Sequence, residues 1–420
     1  MERIAISGRA ARLPVRTLLA SALLSVLMVS CSEDNSGKGP GPGESSGLFT
    51  KMDVAKMLSC LPMEQAHLDE VHDAATASSG NGYDEEYMMR DLIESPGAGV
   101  GDDAGTRAAA KTRYATPLRS LIEDYLSQNP SPGARSGIHP AASPSTKLSE
   151  ADIQKYLDDL VSSGMQIYWP YSEDWDGETY PLITFDPGYG SESNYGYLLS
   201  KNADGTLKVD SVYVDENLAK TRPVWVINTN DDSAYTPLEL SMDNSGPLSA
   251  GSSPSIQMGR KASVGKTLYL KSFTMLRNYD SWFAGASEFW IKCGSVKGFK
   301  ASIEEDLQRY TPSITDMVIV VKRKQLGEVV PFQAILATDF TDQMDKLAFM
   351  ITEDDGGKST VWNCSATVKI KSKSYGFEMS IPYRQNDDIV WRGQLSASYF
   401  NSSPEVTGRF GDVSVTFALE

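Results

Sequence analysis

Two periodicities divide the chain. Between residues 50 and 126 the apolar positions recur every three or four residues, the helical repeat. Thr50 stands where a helix cap belongs, ahead of Val54, Met57, Leu58 and Leu61. Pro62 and Met63 open a second helix carrying Leu68 and Val71, and Gly80-Asn81-Gly82 breaks it. A short helix follows over Glu85 to Ile93. Thr116-Pro117 starts another, with Leu118, Leu121, Ile122, Tyr125 and Leu126 on one face. Ser149 caps a further helix that points Ile153, Tyr156, Leu157, Leu160 and Val161 inward and ends at Gly164.

After Gly164 the period becomes two. Strands are predicted over Met165 to Trp169, Leu182 to Asp186, Tyr195 to Ser200, Leu207 to Val214 and Val224 to Asn228, with Ala203-Asp204-Gly205 as a hairpin turn. From Thr267 to the C-terminus nearly every segment alternates: Thr267 to Thr274, Glu288 to Cys293, Met317 to Val321, Leu347 to Ile351, Ala366 to Ile370 and Val413 to Phe417. The expected class is a multidomain α+β protein: a helical region (49–126), a helix with a small β domain (148–242) and a C-terminal antiparallel sandwich (264–420). Stretches rich in Pro, Gly and Ser, at 127–147 and 243–263, read as linkers.

The first thirty residues follow another logic. Four arginines precede an apolar run, Leu18 to Val29, that is short for a membrane span. It ends in Leu27-Met28-Val29-Ser30-Cys31, which resembles the bacterial lipobox, with Met28 in place of the usual leucine. The resemblance implies cleavage before Cys31, lipidation of its sulfur and a permanent anchor in the membrane. Residues 31–48 continue as a flexible tether that begins with an acidic cluster, Glu33-Asp34. That cluster resembles the surface-export signal of Bacteroidetes lipoproteins. Asp210-Ser211-Val212 and Asp232-Ser233-Ala234 resemble the O-glycosylation sequon of the same phylum, with Ser211 and Ser233 as acceptors. Together they imply an outer-membrane protein exposed at the cell surface.

Charge narrows the partners. The whole chain carries −16; without residues 1–30 it holds 35 Lys and Arg against 54 Asp and Glu, a net charge of −19. Such a chain repels phosphate backbones and anionic lipid heads, which argues against nucleic acid as a partner. Past Cys31 the cysteines are Cys60, Cys293 and Cys364, with no CxxC pair. Cys293 and Cys364 share the C-terminal region, where they can pair or stay as buried thiols.

Most catalytic signatures fail on spacing. Gly97-Ala98-Gly99-Val100-Gly101-Asp102 follows a helical pattern and lacks a Gly-Lys-Ser/Thr, so it reads as a loop and not as a phosphate cradle. His67 and His72 lie five apart, about 140° around a helix, and His139 falls in a linker. A zinc site or a His-based triad is disfavoured. Carboxylates are plentiful, but no pair stands out.

Nine aromatics fall within thirty residues, Tyr168 to Tyr197, where the chain average of 9% predicts roughly three. Tyr171, Trp175 and Tyr189 sit beside turns with Asp174 and Asp176, and are expected to be exposed. Flat rings next to carboxylates suit a glycan: the ring face covers C–H groups and the acids take hydroxyls. The competing role for these rings is core packing.

Two C-terminal stretches resemble a C2 domain. Tyr279-Asp280-Ser281-Trp282-Phe283-Ala284-Gly285-Ala286-Ser287-Glu288-Phe289-Trp290 is similar to the family's first loop and following strand. Leu347 to Gly357, with Glu353-Asp354-Asp355, is similar to its strand ending in Asp-x-Asp. The resemblance implies calcium as cofactor, held by Asp280, Glu288, Glu353 and Asp355, since calcium takes six to eight oxygens. Two of these acids are Glu where the family has Asp, and a further expected aspartate is missing. The sequence as a whole points to a binding or adhesion lipoprotein with a glycan or protein ligand. The alternatives are a carboxylate- or calcium-dependent hydrolase of glycans or peptides and a structural partner of an outer-membrane assembly.

Overall fold

A computed structural model describes residues 48–94, 118–129, 148–188, 190–201, 207–230 and 265–420. The signal segment, Cys31, Gly97 to Asp102, His139, Tyr189, the 203–205 turn, Ser233 and residues 130–147 and 243–263 of the expected linkers lie outside the described residues.

The N-terminal half is built on helices α1 (Lys51–Cys60), α2 (Gln65–Gly80), α3 (Met89–Ile93), α4 (Leu118–Gln128) and α5 (Glu150–Ser162). Thr50 caps α1 reciprocally with Asp53, and Ser149 caps α5. Buried Glu70, on α2, accepts from the Leu118 N–H that opens α4 (2.6 Å) and from the Tyr87 hydroxyl (3.1 Å). One helix side chain thus satisfies the orphan amide of another.

Six strands form a mixed sheet: β1 (Glu86–Met88), β2 (Met165–Tyr168), β3 (Leu182–Phe185), β4 (Ser193–Lys201), β5 (Leu207–Asp215) and β6 (Val224–Thr229), in the order β1-β2-β6-β3-β4-β5. All neighbours are antiparallel except β3 and β6, which run parallel. The helix expected over Glu85 to Ile93 is half right. Its first part pairs as a strand with β2, and only Met89–Ile93 is helical. The apolar Val224-Trp225-Val226-Ile227 run follows from burial on both faces. Ile167, Trp169, Ile183, Trp225 and Ile227 face the helices and join Val54, Leu58, Leu68, Val71, Ile122, Leu157 and Leu160 in one core. The helical stretch and the middle strands therefore share a single interior.

The remainder consists of two facing antiparallel sheets. One holds β7 (Lys266–Met275), β10 (Val330–Phe340), β15 (Glu405–Phe410) and β16 (Val413–Leu419) in the order β10-β7-β16-β15. The other holds β8 (Ser287–Ser295), β9 (Ser313–Val321), β11 (Met344–Glu353), β12 (Ser359–Ile370), β13 (Lys373–Arg384) and β14 (Asp388–Ser396). Phe273, Phe289, Ile291, Phe349, Ile351 and Phe417 pack between them. Strand β12 meets β11 only at Met344 and Lys346, and β14 takes the rest of that edge. The freed β12–β13 hairpin closes over the outer side, burying Ala348, Met350 and Ile381 together. Gly294 lies under it, and a Cβ there would collide with the Met379 sulfur. Cys293 belongs to the inner core and Cys364 to the hairpin layer, and both are free thiols, as is Cys60.

The halves are joined by the loop before β8. Trp282 and Phe283 are fully buried against the outer face of the mixed sheet, among Tyr168, Leu182, Val214, Val224 and Val226. Burial of each ring contributes roughly 1.5–3 kcal/mol. Polar contacts fix the seam. The Trp282 indole donates to Glu192 O (2.9 Å), and the Asn228 amide donates to Phe283 O (3.1 Å) and Ala284 O (2.6 Å). Arg323 binds Glu216 (2.9 Å) and Asp280 O (2.9 Å). Burial works against the Glu216 carboxylate, yet the guanidinium prevails and holds it below the usual range. The described residues all fall within one compact unit, Pro42–Glu420.

Candidate functional site

Two places collect the chemistry. The first lies at the seam. Glu288 is the second residue of β8 and Glu353 the last of β11, and the antiparallel register sets Glu353 opposite Phe289. That pairing brings the two glutamates to the same end of the sheet, where the loop residue Asp280 meets them. One carboxylate oxygen from each of the three lies within 4.8 Å of the others. Glu353 and Glu288 are buried, at 1% and 8% exposure. Three of the four acids expected to share an ion are thus brought together. Asp355 lies beyond this trio. Burial, followed by the charges of Asp280, Asp388 and Asp387, pushes its pKa up to about 6.

The sequence reading missed what faces these acids. Tyr83 to Glu86 is wholly buried, carrying Asp84, Glu85 and Glu86 into the seam. Asp84 accepts from the Ala286 N–H (2.8 Å). Gly285, at φ +136°, leaves room for that contact, since a Cβ would sit 2.7 Å from the Asp84 carboxylate. Asp84, Glu86, Gln166, Asn230, Asp280 and Glu288 line a cavity of about 10 Å³, the size of one water or ion. Glu85 is pushed up to about 8, first by burial and then by Asp84, against the pull of Lys322 and Lys324. An acidic triplet in a polar stretch reads as solvated surface, and only the β1–β2 pairing shows it to be interior.

The second place is a cleft of about 250 Å³ beside the end of β2. Tyr171, Asp174, Trp175 and Asp176 form one wall, and the turn Ala219 to Pro223 forms the other, with Trp169 at the base. Tyr171 and Trp175 were expected to be exposed, and both are half-buried. The Tyr171 hydroxyl donates to Glu216 (2.9 Å), and its backbone is left-handed at φ +61°. Trp175 leans on Trp169 and His72, at centroid distances of 5.2 and 5.0 Å, and donates to Thr179 O (2.9 Å). Asp174 and Asp176 are exposed. Asp176 is held down to about 2 by the Thr179 hydroxyl, then by the backbone N–H groups of Thr179 and Glu178. Lys220, Thr221 and Arg222 reach the cleft from the far wall, and nothing near residue 175 in the sequence announces them.

The other candidates take structural places. His67 accepts from Glu64 N (3.0 Å), and His72 bonds Ser172 O (3.2 Å). Ser211 is exposed on edge strand β5. Among the described residues the most exposed aromatic pair is Tyr195 and Tyr213, partners across β4 and β5, at 62% and 55% exposure. Among the described residues no helix is long and apolar enough to cross a membrane.

No family model, curated protein or solved structure matches this chain.

Proposed function

We propose that the chain is a surface-exposed outer-membrane lipoprotein, anchored through Cys31, that binds a glycan in the cleft between Tyr171–Asp176 and Ala219–Pro223. The supporting observation is the cleft itself. The fold sets a second, cationic wall against the aromatic and acidic one, giving flat rings with donors and acceptors on both sides. Its volume falls below the ~300 Å³ where small-molecule sites begin, which suits one sugar ring more than a buried chain. A hydrolase reading is weaker at this cleft. Asp176, held at about 2, cannot keep a proton at neutral pH to act as general acid.

In the same reading the sandwich is C2-like, and its acidic end takes calcium between Asp280, Glu288 and Glu353, with Asp84 and Glu86 facing them across the small cavity. The C2 comparison then changes sense, because the acids face the mixed sheet instead of an open tip. Ser211 and Ser233 are the proposed O-glycan acceptors.

A glycan array probed with the full chain tests the binding role. Trp175→Ala should lose about 1–3 kcal/mol of binding. Retained binding would remove the cleft from this role. Loss of fatty-acid labelling in Cys31→Ala tests the anchor.

A further inference from the structure

The cleft carries an asymmetry that a neutral sugar does not use. One of its carboxylates, Asp176, is fully engaged within its own turn, and its arginine is without a counter-charge among the described residues. Both Asp176 oxygens are occupied, accepting from Glu178 N (2.9 Å), Thr179 N (2.7 Å) and the Thr179 hydroxyl (2.5 Å). Against this, the Trp169 indole N–H is buried without a hydrogen-bond partner in the protein, on a residue with no exposed surface. Arg222 Nε is likewise buried and unpartnered. The Arg222 guanidinium makes one hydrogen bond, from Nη2 to Tyr180 O (3.2 Å), and among the described residues it makes no salt bridge. Lys220, on the same turn, stands 3.6 Å from Glu216. A buried donor without a partner is costly, and the half-buried Arg222 side chain has no anion beside it among those residues. Native proteins keep such groups where something else completes them.

We propose that the ligand of this cleft is a carboxylate-bearing sugar, with its carboxylate on Arg222 and its ring against Trp175. This rests on the glycan reading given above. The chemistry follows from the donors. A guanidinium offers a planar fork that matches a carboxylate and gains charge-assisted hydrogen bonds. A hydroxyl would leave the guanidinium without a counter-charge. The protein, at −16, does not draw anions by its overall field, so selectivity has to come from contacts made at the donors themselves.

The experiment uses the full chain and two monosaccharide probes of equal size, glucuronate and glucose, read by tryptophan fluorescence and by ligand-detected NMR. Glucuronate should bind about tenfold more tightly or better, as a hydrogen bond to a charged group allows. Arg222→Gln should abolish the difference between glucuronate and glucose. Arg222→Lys should recover only part of the preference, because the fork is lost while the charge stays. Should Arg222→Gln fail to fold, the wild-type preference and the Lys variant still decide. Equal binding of the two probes overturns the carboxylate inference and leaves the glycan reading standing. No binding of either probe at millimolar concentration overturns both. A preference for glucuronate that survives in both Arg222 variants shows that another group reads the carboxylate, and the assignment falls.

Discussion

Carboxylates at the seam and carboxylates at the cleft are the same chemical group in opposite states. Asp176 is fully exposed yet strongly acidic, because three donors from its own turn surround it. Glu85 is buried, and burial raises it to about 8; Asp355 is exposed, yet partial desolvation and three neighbouring aspartates raise it to about 6. Solvent exposure alone therefore does not rank these acids. The number of N–H and O–H groups aimed at the carboxylate decides it. The cleft has spent the donors of one turn on Asp176 and keeps those of Arg222. The seam gathers acids from residues 84–86, 280, 288 and 353 and leaves them crowded.

The largest effect expected is on the seam as a joint. Trp282→Ala removes a fully buried ring and should cost about 3–5 kcal/mol of stability, measured by urea unfolding. A loss below about 1 kcal/mol would mean that the halves are not held by this contact. Calcium comes next. If it occupies the seam, unfolding of the full chain should be shifted by about 2.7 kcal/mol at a hundredfold excess over the dissociation constant. Glu288→Gln or Glu353→Gln should abolish the shift. An unchanged melt in millimolar calcium would leave these acids as structural groups.

A smaller effect is the pH slope in chelator. Glu85 binds its proton up to about pH 8 in the folded chain and only to about 4.5 when unfolded. Between those values the folded state holds the extra proton, so stability falls as pH rises, by at most about 1.4 kcal/mol per pH unit for one group. Asp355, exposed and screened by solvent, adds a smaller part to this slope between about 3.8 and 6. The protein should be more stable at pH 5 than at pH 8, and Glu85→Gln should flatten the upper part of the slope. A stability that rises over that window would contradict the burial account. The smallest effect belongs to Asp176→Asn. The depressed Asp176 stabilises above about pH 3.8 and loses that effect as pH falls through about 2, so the variant should match wild type in slope from pH 5 to 8.

Periodicity located the longer helices and most of the strands, although β10, β13, β14 and β15 were not among the segments named and β1 was read as helix. Thr50 and Ser149 announced their helices because a cap is a local interaction, and Gly164 ended one because only a glycine takes φ +69° cheaply. Partnership was not legible in the same way. A stripe of apolar residues says that a helix has a buried face, not which sheet it covers, so 49–126 and 148–242 read apart although Leu68 and Trp225 share a core. The acids at 280, 288 and 353 were legible through two short motifs. Asp84 and Glu86 were not, because a charged triplet enters a core only when tertiary pairing compels it. Arg222 stayed hidden for a related reason. The cleft is made by a turn nearly fifty residues from Trp175, and no local pattern links the two.

The Trp282–Phe283 contact also sets an order of events during synthesis. The mixed sheet is complete once β6 has emerged, but among the described residues its outer face, with Leu182, Val214, Val224 and Val226, gains its cover only with Trp282 and Phe283. Over that interval the nascent chain presents a sticky apolar surface, the condition under which partly made proteins aggregate. The closing contact spans about a hundred residues of sequence, and such non-local closures are slow. A truncated chain that stops after β6 would hold that surface open indefinitely, and it should recruit chaperones or self-associate where the full chain does not.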